Sequence, residues 1–174
     1  MRNGGLVIIY LILIVIQIIL DNVFNLSQYV IVSFLPAMVV CLPSRNNTVV
    51  NLLIAFGMAF VVDFFSTGML GMTAVALLPV ALVRNALLTL MFSQEYFSRR
   101  NDLVSDVQGL RRTLVCVEIS IVLYLLIYII VDSAGTRPFG FNLLRFIISL
   151  TVCSLVSILI VSNFSPKEHK DRWD

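Results

Sequence analysis

Apolar residues along this chain come in long unbroken blocks separated by short polar punctuation, not in stripes opposite a polar face. A helix of a water-soluble domain shows an apolar stripe at a period of 3.6 residues, and a half-buried strand alternates. Blocks that are apolar all round belong to helices with apolar surroundings. Six blocks qualify as spans, at residues 5–20, 29–42, 49–62, 72–92, 114–131 and 141–161. A helix needs about 20 residues to cross the hydrocarbon core, and tightly packed bundles tolerate somewhat fewer. The second block, which contains Pro36, and the third are short by that measure, so their ends are expected to extend into the flanking polar residues. The predicted fold is all-α: a polytopic integral membrane protein whose residues 1–165 form a single six-helix transmembrane domain.

The connections between blocks are too short to build a core of their own. The longest, 93–112, reads "SQEYFSRRNDLVSDVQGLRR" and spaces Tyr96, Phe97, Leu103, Val104, Val107 and Leu110 loosely at helical intervals among charges. It fits an interfacial helix or a docking surface for a cytoplasmic partner, and better a solvated extension of the fourth helix whose arginines meet anionic lipid. The tail 166–174 opens with Pro166, which stops the sixth helix, and is expected to be disordered.

Orientation follows from the basic residues, which favour cytoplasmic loops. With the N-terminus inside, the inner side receives Arg2, Arg45, Arg99, Arg100, Arg111, Arg112, Lys167, Lys170 and Arg172 of the 12 lysines and arginines. The outer loops receive Arg137, while Arg84 and Arg145 fall in or at the edge of helices. Both termini are therefore expected inside. Met1 and Arg2 before an apolar run resemble a signal peptide, but Leu20, Asp21, Asn22 and Val23 offer no small-residue cleavage site, so this run is read as a retained first helix.

Composition sharpens the picture. The 174 residues are 59% hydrophobic and 13% charged, with a mean hydropathy of +0.99, whereas soluble domains carry about 25% charged residues. A net charge of +2 without a basic patch excludes nucleic acid as a partner. Cys41, Cys116 and Cys153 lie in apolar segments without C-x-x-C spacing and are read as small hydrophobes, with no metal site and no cofactor. His169, the single histidine, is in the tail, and there is no G-x-S-x-G, G-x-x-x-x-G-K-[ST] or H-E-x-x-H, so no enzyme activity is expected.

Charges inside spanning segments cost about 2.5–3.5 kcal/mol each on insertion scales, so each needs a partner or a route to water. Arg84 stands eight residues before Phe92, about 12 Å from the inner end of the fourth helix, and Glu118 six residues after Arg112, about 9 Å from the same side. The matching depths predict an Arg84–Glu118 pair, with Asn85 beside it; the alternative is a ligand or proton site. Asp63, Asp132 and Arg145 belong near the outer ends of the third, fifth and sixth helices, where Arg145 can pair with either aspartate or reach outward.

Asp63 also opens a distinct stretch, "DFFSTGMLG". The third helix brings Ala55, Gly57 and Ala59, small residues that permit close helix approach, and then reaches Asp63. Gly68 and Gly71 supply turn conformations that other residues adopt poorly. The carboxylate is placed to accept from N–H groups of that turn or of the fourth helix's N-terminus, which reads as a capped hairpin, with a substrate site as the alternative.

The pattern D-x4-G-x2-G (Asp63, Gly68, Gly71), a first helix with Gln17 near its outer end, a second helix with Pro36, short loops and the chain length resemble the MreD family of rod shape-determining proteins along essentially the whole chain. Ala37 follows Pro36 where family members often carry an acidic or amide residue. The resemblance implies a non-enzymatic subunit of the bacterial elongation machinery in the cytoplasmic (inner) membrane, and a fold similar to the substrate-binding subunits of energy-coupling-factor transporters. It implies MreC as direct partner. RodA, a class B penicillin-binding protein and MreB would be indirect partners, lipids would surround the protein, and a homodimer within a larger complex is compatible with it. A vitamin-type transporter subunit is the competing expectation, but the first helix, "IIYLILIVIQIIL", lacks the small residues at i, i+4 with which such subunits dock.

Overall fold

The computed structural model describes residues 2–24, 30–42, 47–66, 70–92, 107–134 and 137–164, and among them every regular element is a helix. In chain order these are α1 (Arg2–Phe24), α2 (Leu35–Val40), α3 (Thr48–Phe65), α4 (Met72–Met91), α5 (Val107–Ser133) and α6 (Phe139–Phe164). Four helical stretches, Thr48–Phe65, Met72–Met91, Arg111–Ser133 and Phe139–Val161, are long and apolar enough to cross a membrane; α1 contributes a shorter apolar stretch, Ile8–Val23. Their 18 to 23 residues cover about 27–35 Å at 1.5 Å per residue. Residues 107–112, expected to end the long connection, instead form the first turns of α5. Residues 93–106, the tail 166–174 and Gly68 lie outside the described residues.

The second block departs most from expectation. Residues 30–34 are not helical, and α2 is only six residues long, about 9 Å. Pro36 accounts for the break. It lies in the first turn of α2, where its missing N–H is no loss. A helix continuing upstream through residue 32 would leave the Val32 carbonyl without its i+4 donor and press it against the proline ring. The described part of the block therefore consists of a non-helical half followed by a helical half. An unwound chain reaches up to about 3.3 Å per residue, so a short segment covers a long distance.

That segment occupies the middle of the molecule. α4 lies between α3 and α5, α6 packs on α5, α1 rests on α3, and α2 touches α3, α4, α5 and α6. Leu35, Ala37, Met38 and Val39 are consequently fully buried. Ala55 and Ala59 of α3, one turn apart, are also fully buried, as expected for a close helix contact. Gly57 is not part of it: it faces outward, and a Cβ there would meet nothing within 4 Å.

The exterior is far more apolar than that of a protein that folds in water, and several polar groups lie within the largely apolar interior. Gln17, Asn51, Asp63, Arg84, Ser120 and Ser149 are buried, while Leu11, Leu53, Leu90 and Leu155 are more than half exposed. A helical exterior of this kind is satisfied by hydrocarbon and not by water.

Candidate functional site

The buried polar side chains converge on the unwound segment. Away from water each backbone N–H and C=O needs a partner, and a non-helical stretch cannot supply its own. Gln17, fully buried on α1, supplies two: Nε2 donates to the Val32 carbonyl (2.9 Å), and Oε1 accepts from the Phe34 N–H (3.1 Å). The first of these replaces the bond that Pro36 cannot make. From the opposite side, the Ile31 N–H donates to Ser149 Oγ of α6 (2.9 Å). Cys153 Sγ, one turn along α6, accepts from the Ser33 N–H (3.3 Å) and donates to the Ile31 carbonyl (3.4 Å). Cys153 is thus a hydrogen-bonding group and not the inert hydrophobe expected from its position. Tyr10 on α1 donates to the Met38 carbonyl (3.1 Å). Since Tyr10 meets residue 38 and Gln17 meets residues 32 and 34, α1 and the segment run antiparallel.

Arg84 does not pair with Glu118. Its fully buried guanidinium turns to the last carbonyls of the segment: Nε donates to Val40 (3.3 Å), Nη2 to Leu42, and Nη1 to Asn85 Oδ1 (3.0 Å). The C-terminal carbonyls of a helix lack intrahelical donors and carry partial negative charge, so a cation is favoured there. Asn85 passes the network to Thr48 Oγ1 (2.8 Å). Glu118 accepts instead from Ser154 Oγ of α6 (2.7 Å). The two side chains leave their helices toward different neighbours, α2 for Arg84 and α6 for Glu118.

Asp63 is fully buried at the end of α3 and clasps the start of α4. Oδ2 accepts from the Gly71 N–H (2.9 Å), and the Thr73 N–H is shared between Oδ1 (3.2 Å) and Oδ2 (3.1 Å). Gly71 carries a φ of +98°, a backbone state that a Cβ opposes. At the same end, Asp21 accepts from Gln17 Nε2 (2.7 Å) and Ser66 Oγ (3.4 Å), and Asn22 Nδ2 donates to the Phe65 carbonyl (3.3 Å), so the ends of α1 and α3 are tied together. Of the two aspartates open to Arg145, it takes Asp132, whose Oδ2 also accepts from Arg137 Nη1 (3.2 Å).

The structure therefore gathers Gln17, Pro36 and Arg84 around one segment, Asp63 and Gly71 at one helix junction, and Asp132 with Arg145 at a third place. Asp21, Ser149 and Cys153 were missed by sequence reasoning. Ser149 and Cys153 sit at i, i+4 on α6, in line with Arg145 and Ser157 at the same spacing, which marks one polar face. Asp21 lies in the same relation to Gln17. Among the described residues no group of three or more His, Cys, Asp or Glu side chains is placed to hold a metal. No family model, no curated protein and no solved structure matches this chain.

Proposed function

We propose that this protein is a non-enzymatic scaffold of the bacterial cell-elongation machinery, a six-span inner-membrane subunit with both termini in the cytoplasm. It would bind MreC and, through it, influence RodA, the class B penicillin-binding protein and MreB. One observation carries the reading: the interior polar groups Gln17, Arg84, Asp63, Ser149 and Cys153 are engaged in holding the chain's own backbone. What such a molecule offers to others is its lipid-facing helix surface, and it acts by helix-to-helix packing within the bilayer. The resemblance through Asp63, Gly68, Gly71, Gln17 and Pro36 supplies the partner. The buried position of α2, in contact with α3, α4, α5 and α6, weighs against the vitamin-binding alternative.

The test is co-purification of the protein with MreC in mild detergent, from cells carrying either the unmodified chain or Asp63→Ala. MreC is expected to accompany the unmodified protein. Asp63→Ala is expected to lower the abundance of both, because it releases the start of α4. Solute uptake by the purified protein, or absence of MreC from a well-folded preparation, would overturn the proposal.

A further inference from the structure

We infer that the junction of α5 and α6 is a docking groove for one transmembrane helix of a partner protein, and that this helix presents a cationic or hydrogen-bond-donating side chain to Glu118. The inference rests on the scaffold reading and says where on the scaffold a partner helix sits.

Glu118 is only half buried, about 9 Å beyond Arg112 along α5. Three buried charged groups of the described spans have an opposite charge or several hydrogen-bond partners within the chain. Asp63 holds two backbone N–H groups, Arg84 two carbonyls and an amide, and Arg145 holds Asp132. Among the described residues Glu118 receives a single neutral donor, the Ser154 hydroxyl. A carboxylate at such depth calls for a partner or a path to water.

The surroundings show from which side that partner comes. Val115 and Val122 flank Glu118 at i−3 and i+4, and Thr151 and Ile158 flank Ser154 at the same offsets, so each set shares a helix face with its polar residue. All four are exposed. The Glu118–Ser154 pair thus forms the base of an otherwise largely apolar groove open to the exterior of the bundle. Charge selects its occupant. An anionic headgroup is repelled, and a second copy of this chain brings to that depth the same carboxylate and an Arg84 that is already buried and engaged. A helix from a different chain, bearing lysine, arginine or an amide at that level, completes the site.

The experiment places a photo-crosslinking residue at Val115 or Ile158, with Leu11 and Leu90 as exposed positions on other helices, in the full-length protein in its native membrane. Adducts from the two groove positions with one membrane protein are expected, and its spanning helix should carry such a donor at the crosslinked depth. Glu118→Leu should reduce these adducts at least about tenfold at unchanged protein abundance. Glu118→Gln, which keeps the shape and an acceptor for Ser154, should reduce them less. Glu118→Lys combined with an acidic residue in place of the partner's cation should restore them. Adducts from Leu11 or Leu90 but not from the groove would overturn the site while leaving the scaffold reading standing. Absence of membrane-protein adducts from all four positions would overturn both. Adducts between two copies of this chain, or adducts indifferent to Glu118→Leu, would overturn the assignment of occupant and charge.

Discussion

Replacing Gln17 by leucine tests the central physical claim, that side chains from the spanning helices substitute for the hydrogen bonds an unwound segment cannot make. The side chain is fully buried, and the substitution keeps its approximate volume while removing both polar atoms. The Val32 carbonyl and the Phe34 N–H then lose their partners in a place closed to water. Each orphaned group costs about 1–3 kcal/mol, so the change destabilises the segment by about 2–6 kcal/mol. Against a typical total stability of about 5–15 kcal/mol this is large but survivable. Amide hydrogen exchange on protein in nanodiscs reads the effect locally: exchange within 31–34 should accelerate by at least about 30-fold, since 1.4 kcal/mol corresponds to a factor of about ten. Asn22→Ala serves as control, because its side chain is exposed and its bonds to Ile18 and Phe65 lie at the surface. Pairing Gln17→Leu with Pro36→Ala probes the cause, because alanine restores an N–H four residues beyond Val32. The double variant should recover part of the loss, giving a non-additive cycle of about 0.5–3 kcal/mol. Unchanged exchange at 31–34 in folded Gln17→Leu protein, or strict additivity of the pair, would refute the reasoning.

Gly71→Ala forces a Cβ onto a φ of +98° and should destabilise by about 1–3 kcal/mol in thermal unfolding in detergent. By contrast, Gly57→Ala adds a methyl in open space on an exposed helix face and should stabilise by up to about 1 kcal/mol in the same assay. Arg84→Lys keeps the charge but loses the fork that reaches Val40, Leu42 and Asn85 together. It should destabilise by about 1–3 kcal/mol, with faster amide exchange in α2 as the local readout. Ser157→Ala removes a fully buried hydroxyl that has no hydrogen-bond partner among the described residues, and should leave the unfolding temperature unchanged or raised.

Much of this architecture was legible along the chain. Block length and uniform apolarity foretold long apolar helices over 49–62, 72–92, 114–131 and 141–161. The structure places helices at Thr48–Phe65, Met72–Met91, Val107–Ser133 and Phe139–Phe164. These are local properties, because hydrocarbon-like surroundings select a helix whatever its neighbours. The Asp63 clasp was legible for a similar reason: an acceptor eight residues before a glycine, with a helix beginning just after it, leaves few geometries. The likeness to the MreD family rests on the same local signals and belongs to the proposal.

Tertiary structure decided the rest. Depth along a helix can be counted in residues, and that count suggested an Arg84–Glu118 pair. Rotation about the axis depends on the neighbours, and it turned Arg84 toward Val40 and Leu42 and Glu118 toward Ser154. The block at 29–42 read as one helix, with no sign that residues 30–34 would be non-helical and lie between α1 and α6, where Gln17, Ser149 and Cys153 meet their backbone. Spacing along one helix carries no information on which distant backbone atoms need donors and acceptors. That requirement arises when six segments close around a centre from which water is excluded, and there it fixes the use of each scarce polar side chain.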